Sequence, residues 1–140
     1  MIGKNNPLNI RTSSHYNWNG QTGATRGFCD FEDVVMCRRA GAYLLMRSYR
    51  RAGIKTIDAV IRRWAPSCEN NTEAYIDYVS KRTGIAKAMS LTFDEDYAAL
   101  LSAMEIFEQG VPLSKRETYF ATVKASYLYV INNFNIQKYY

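Results

Sequence analysis

Histidine is nearly absent from this sequence, which contains only His15, and motifs of several common enzyme classes are missing altogether. There is no G-x-x-x-x-G-K-S/T phosphate loop, no G-x-G-x-x-G dinucleotide turn and no G-x-S-x-G nucleophile elbow. A Ser-His-Asp or Cys-His mechanism would depend wholly on His15, which lies in a polar segment. Carboxylates are therefore left as the acid and base groups of any catalysis.

Cysteine is also scarce, and long apolar runs do not occur. Cys29, Cys37 and Cys68 are far apart and lack CxxC spacing, so we predict reduced, buried or half-buried thiols and neither a metal site nor a cofactor. Without about 18 consecutive apolar residues no membrane span is expected. MIGKNNPLNIR lacks the apolar core of a signal peptide, so we expect synthesis in the cytoplasm without one.

The 140 residues are 47% apolar and show no low-complexity run or repeat, so we expect a single domain over 1–140. The net charge of +5 favours a polyanionic partner, such as nucleic acid, anionic lipid or a cell-wall polymer. Arginines concentrate on two predicted helices, at positions 38, 39, 47, 50, 51, 62 and 63. A solvated surface explains them better than phosphate binding, because no nucleic-acid motif accompanies them.

Apolar spacing predicts a mainly α fold of four to five helices behind a loop-rich N-terminal lobe. The lobe, residues 3–31, could hold a small hairpin that turns at Asn19 and Gly20. Three helices are predicted over roughly 33–51, from Thr56 to before Pro66, and from Asn71 or Thr72 to Gly84. A fourth is predicted after Thr92 and ends at Gly110, and a fifth follows Ser114 and passes through Tyr127. T-x-x-E at Thr92 and S-x-x-E at Ser114 resemble capping boxes for the last two helices.

Glu69 has the most suggestive surroundings of any carboxylate, because Trp64 and Tyr75 flank it in the sequence. An aromatic neighbour raises the pKa of a carboxyl group by desolvating its charged form, as a general acid requires. Glycosidic bond cleavage needs little more than such a group and a cleft that holds sugar. The alternative is that Glu69 only stabilises the start of a helix through its dipole.

The N-terminal group Asn5, Asn6, Asn9 and Arg11 has two open interpretations. These residues could line a polar groove, or they could order a turn through bonds to the backbone. Glu108 is unfavourably placed for the helix dipole, so we expect a tertiary partner such as Arg39.

Several motifs together resemble a family of small phage and prophage proteins, labelled virion structural proteins and similar to lysozyme-type lytic proteins. The residues concerned are NNPLNIR at 5–11, W-x-G at 18–20, F-x-x-F at 28–31, the stretch from Arg38 to Tyr49, WAP-x-x-EN-x-T-x-x-Y at 64–75 and FEQG at 107–110. NPLNIR followed by W-x-G is also similar to a segment of lysozyme-like bacterial glucosaminidases. The resemblance covers roughly residues 3–110.

The resemblance implies a lysozyme-like domain that cleaves or binds the peptidoglycan glycan, associated with the virion or released to the cell wall. On this hypothesis Glu69 is the general acid, and the glycan is contacted by Trp18, Trp64, Tyr75, Asn6, Asn9 and Arg11. Arg39 and Glu108 support that site. The alternatives are a virion or accessory binding protein without chemistry, in which the same residues form a packing network, and a basic nucleic-acid-binding protein.

Overall fold

The protein is described by a computed structural model that covers residues 1–66, 71–134 and 136. A hairpin of β1 (Gln21–Thr25) and β2 (Phe28–Phe31) precedes five α-helices. These are α1 (Val34–Tyr43), α2 (Ile57–Trp64), α3 (Thr72–Thr83), α4 (Asp94–Gln109) and α5 (Arg116–Asn133), with a π-helical turn at Leu44–Tyr49 and a 3-10 turn at Leu113–Lys115. The prediction of a mainly helical fold with a small hairpin is confirmed.

Helix α4 runs through the middle of the molecule, where it packs against α1, α3 and α5. Every residue from Tyr97 to Ile106 is buried, because neighbours cover the helix on all sides. Its predicted capping box is wrong by one position. The carboxylate that accepts the backbone N–H groups of Thr92 (3.3 Å) and Phe93 (3.1 Å) belongs to Asp96, not Glu95.

The predicted helix over 33–51 begins as expected at α1, where the Asp33 side chain accepts from the Met36 backbone N–H at 3.0 Å. After Tyr43 the chain passes into the π-helical turn before helical structure ends near Gly53. A π-helical turn inside a helix is rare and is frequently found at functional sites.

Helices α2 and α3 form where their caps predict them. The Thr56 hydroxyl accepts from the Ala59 N–H at 3.1 Å, and the side-chain carbonyl of Asn71 accepts from the Ala74 N–H at 3.2 Å. Helix α5 departs from its prediction, because the 3-10 turn occupies the place of the Ser114 box. The carboxylate of Glu117 instead binds Arg82 at 2.6 Å.

The hairpin exists, but its turn is not the predicted Asn19–Gly20. The strands reverse at Arg26 and Gly27, which both have positive φ (48° and 83°), as a tight two-residue turn requires. Gly20 has φ 82° and lies directly against α1, where any Cβ would overlap Met36. Asn19–Gly20 is therefore not the hairpin turn, and Gly20 instead allows the backbone to pass close to α1.

Arg38 and Glu105 form a buried ion pair that joins α1 to α4. The guanidinium donates to both carboxylate oxygens, from Nε at 3.1 Å and from Nη2 at 3.0 Å. The hydroxyls of Tyr119 and Tyr127 on α5 each donate to the same carboxylate at 2.9 Å. Burial acts to lower the pKa of Arg38, but its bonds to Glu105 and the carboxylate charge outweigh burial and raise it.

Two of the three cysteines are described, and both are buried free thiols, as predicted. Burial raises the pKa of Cys37 to about 12 and, with the charge of Asp30, also raises that of Cys29. Cys68 lies outside the described residues. Within the described ranges no helix is both long and apolar enough to cross a membrane.

Candidate functional site

A groove of about 410 Å³ opens between the N-terminal lobe, the π-helical turn and the end of α2. We call it the first groove. Its lining combines aromatic, hydroxyl, amide and guanidinium side chains. The residues are Asn9, Ile10, Arg11, Thr12, Ser13, His15, Tyr16, Trp18, Leu44, Ser48, Tyr49, Ala52, Ile54, Arg63 and Trp64. None of the described residues that line it is acidic.

Aromatic rings fix the wall of the first groove that the lobe contributes. The rings of Tyr16 and Trp18 stack with centroids 4.4 Å apart and an interplanar angle of 7°. Both meet Tyr43 of α1 edge-on, at centroid distances of 6.3 and 5.6 Å. This arrangement is among the favourable geometries of aromatic pairs, so it holds Trp18 rigidly against the helix.

The π-helical turn contributes Leu44, Ser48 and Tyr49 to the lining of the first groove. Ser48 shares a 2.7 Å hydrogen bond with the hydroxyl of Tyr16, which ties the turn to the lobe. Burial raises the pKa of Tyr49 to about 12, although the charge and hydrogen bond of Arg63 oppose this shift. Tyr49 therefore stays a neutral hydroxyl at ordinary pH, and Arg63 brings a positive charge to the groove.

A second, smaller groove of about 280 Å³ shares the aromatic residues Tyr16 and Trp18 with the first. Its lining residues are His15, Tyr16, Asn17, Trp18, Asn19, Arg39, Ala40 and Tyr43. His15, Tyr16 and Trp18 line both grooves. The two depressions are therefore adjacent and share their boundary.

The structure brings together four of the residues that the sequence singles out for glycan contact. Trp18, Trp64, Asn9 and Arg11 all line the first groove. Arg11 also lies over the ring of Phe28, with its guanidinium carbon 4.7 Å from the ring centroid. Their convergence comes from the fold, since they are spread between residues 9 and 64.

Asn6 and Tyr75 are placed elsewhere, and their interpretation as groove residues is wrong. Asn6 is fully buried, and its side-chain amide bonds the backbone of Ile10 (N–H at 2.8 Å, carbonyl at 2.9 Å) and the Cys29 carbonyl (2.9 Å). Tyr75 is 1% exposed and stacks on Phe107 at 3.9 Å. Asn6 instead orders the N-terminal turn, the alternative that the sequence leaves open.

The expected pairing of Arg39 with Glu108 is also wrong. Glu108 accepts from the Asn9 amide at 3.0 Å, and burial, followed by the charge of Glu108, raises the pKa of Tyr75. Arg39 donates to the side-chain carbonyl of Asn19, from Nη1 at 2.9 Å and from Nη2 at 3.3 Å, in the amide orientation that satisfies both groups. Glu108 thus supports the first groove through Asn9, whereas Arg39 belongs to the second.

Glu69, the predicted general acid, lies outside the described residues. The described groove residues that sequence reasoning missed include Tyr16, Tyr43, Ser48, Tyr49 and Arg63. The spacing of Tyr16 and Trp18, two positions apart in a loop, was the available signal. Nothing in the sequence indicated that the π-helical turn would line the groove. A π-helical turn of six residues is too short to change the spacing of apolar residues detectably.

No family model matches the chain. Over 110 residues it is 40% identical to Protein P5 of Pseudoalteromonas phage PM2, and the alignment covers 76% of this chain and 68% of that protein. The chain belongs to the Protein P5 family. This membership confirms the predicted relation to phage proteins, while the lysozyme-like character stays a prediction.

Proposed function

We propose that this member of the Protein P5 family is a virion-associated protein whose first groove binds the glycan of the bacterial cell wall. Its kinship with a phage protein supports the virion association. The observation that carries the binding role is the convergence of Trp18 and Trp64 on one groove with amide, hydroxyl and guanidinium groups. Such a mixed lining suits sugars, which offer apolar ring faces and hydroxyl groups.

We propose binding as the primary function because the described lining residues can carry it out by themselves. A glycosidase needs at least one carboxyl group at the scissile bond, and none of the described lining residues supplies one. Glu69 stays our prediction for that group should the protein also cleave the glycan. The proposed activity itself requires only the groove.

Co-sedimentation with purified, insoluble cell walls tests the proposal. We expect the wild-type protein to bind and Trp64→Ala to bind on the order of tenfold more weakly, a loss of about 1.4 kcal/mol. Arg11→Gln, at an exposed position on the groove, should also weaken binding without disturbing the core. Tyr129→Ala is the matched control, because Tyr129 is an exposed aromatic residue (59%) on α5 that lines neither groove.

Circular dichroism and thermal unfolding separate lost binding from lost folding in each variant. Wild-type protein that fails to sediment with walls of several chemotypes would refute the glycan-binding function. Equal binding by wild type, Trp64→Ala and Arg11→Gln would move the binding surface away from the first groove.

A further inference from the structure

Three arginines of this fold, Arg38, Arg62 and Arg82, have carboxylate partners among the described residues, and Arg39 has none. Arg38, its neighbour in α1, is paired with Glu105, and Arg82 is paired with Glu117. No carboxylate among the described residues lies within ion-pair distance of Arg39. Two successive residues of one helix therefore have opposite electrostatic surroundings.

Among the residues that the structure describes, none supplies a counter-ion to Arg39. Its terminal nitrogens donate to the neutral amide of Asn19, and its guanidinium carbon lies 5.3 Å from the centroid of the Phe134 ring. Its Nε is buried and has no hydrogen-bond acceptor. A partly buried cation in such surroundings costs free energy that a nearby anion would recover.

The second groove is where an anion could reach this charge. Arg39 lines it together with the amide side chains of Asn17 and Asn19, and none of its described lining residues is acidic. Because Trp18 forms the boundary with the first groove, a ligand chain that crosses this ring would occupy both grooves. The second groove thus extends the site proposed for glycan binding.

We propose that the second groove is a carboxylate-binding subsite in which Arg39 binds a pendant carboxylate of an acidic glycan. The inference rests on the proposed function, since the sugar that bears or neighbours this group would occupy the first groove. A planar guanidinium matches a carboxylate in shape and forms charge-assisted hydrogen bonds with it. Cell-wall glycan fits this requirement where its stem peptides have been removed, because alternate sugars then carry a lactyl ether that ends in a free carboxylate.

Two tetrasaccharides of equal length test the inference by calorimetry. One is the neutral oligomer of N-acetylglucosamine, and the other is a wall-derived tetrasaccharide whose peptides have been removed, which exposes the lactyl carboxylates. We expect wild type to bind the acidic ligand on the order of tenfold more tightly, as one charged hydrogen bond allows. Arg39→Gln should abolish this preference and keep the affinity for the neutral ligand.

Two further variants make the result specific to Arg39. Lys81→Gln removes the same charge from an exposed position on α3 that lines neither groove, and it should keep the preference. Arg39→Lys should keep part of it, because an ammonium supplies charge without the planar pair of donors. Retained affinity for the neutral oligomer shows that Arg39→Gln is folded.

Three results would overturn the inference. The first is equal affinity of wild type for both tetrasaccharides, and the second is an unchanged preference in Arg39→Gln. The third is Arg39-dependent displacement of the acidic sugar by a single-stranded oligonucleotide at matched charge, which would make the second groove a phosphate site. If neither tetrasaccharide binds wild type, the proposed function itself fails, which is a different outcome.

Discussion

Arg38 and Glu105 lie 67 positions apart in the sequence and form a two-point ion pair beneath the surface, with Glu105 fully buried. Tyr119 and Tyr127 complete the coordination of the carboxylate, so three helices meet at one side chain. Breaking a buried pair by removing one partner is costly, because the other charge is left in a medium that solvates it poorly.

We therefore predict that Glu105→Gln, which keeps the shape of the side chain, lowers the free energy of unfolding by about 3–5 kcal/mol. Chemical denaturation measures this change. Glu117→Gln is the control, because it breaks the ion pair with Arg82 at a position where the carboxylate is 88% exposed. It should leave the denaturation midpoint nearly unchanged, and similar midpoints for the two variants would contradict the role of the buried pair.

Alkaline pH should destabilise the protein through the same tyrosines. Burial, followed by the charge of Glu105, raises the pKa of Tyr119 to about 12 and that of Tyr127 well above its ordinary value. In the unfolded chain a tyrosine ionises near pH 10. The stabilising effect of the neutral hydroxyls is thus complete below about pH 10 and is lost as the pH rises toward 12.

Denaturant midpoints measured between pH 8 and 11.5 should fall across that window. Tyr127→Phe cannot ionise at this position, so its midpoint should depend less steeply on pH than that of wild type. Parallel pH profiles for the two proteins would rule out Tyr127 as a source of the alkaline effect.

Gly20→Ala should reduce stability by about 1–3 kcal/mol, because the new Cβ combines a positive φ with an overlap with Met36. Gly53→Ala isolates the backbone part of this effect. Gly53 has a similar φ of 79°, but its Cβ would meet open space. We expect a smaller loss there and a partial rescue of Gly20→Ala by Met36→Ala, whereas equal losses at both glycines would contradict the close approach.

Glu69→Gln should leave cell-wall binding unchanged, since the groove residues that we propose for binding lie elsewhere in the sequence. It should also abolish any release of reducing ends that wild type produces from purified walls, because glutamine cannot donate a proton as a general acid. Full retention of a wild-type cleaving activity in Glu69→Gln would remove Glu69 as the catalytic candidate.

Local signals explain which parts of the fold could be predicted. Helices α2 and α3 were read correctly because Thr56 and Asn71 act on N–H groups three positions away, within the reach of sequence reasoning. The hairpin turn was misplaced because Asn19–Gly20 is a stronger local signal than Arg26–Gly27. The packing of Gly20 on Met36 of α1 overrides that signal. This contact is tertiary, so the local sequence of the turn does not reveal it.

The site was predictable in its residue types but not in its arrangement. Aromatic residues near polar groups single out Trp18, Trp64 and Tyr75 equally in the sequence. In the structure Trp18 and Trp64 line the first groove, whereas Tyr75 lies in the core. Burial of a tyrosine depends on which helix covers it, here through Phe107 of α4. The different roles of Arg38, which pairs with Glu105, and Arg39, which lines the second groove, likewise depend on a residue far along the chain.

Every described residue that lines the first groove comes from the first half of the chain, whereas two residues that anchor the N-terminal lobe lie in the second half. Asn9 is held by Glu108, and the carbonyl of Pro7 accepts from the Gln109 side chain. A fragment that ended at residue 66 would carry all the described lining residues and neither of these anchors. A transplant of this groove into another protein would therefore have to include the last turn of α4 as well.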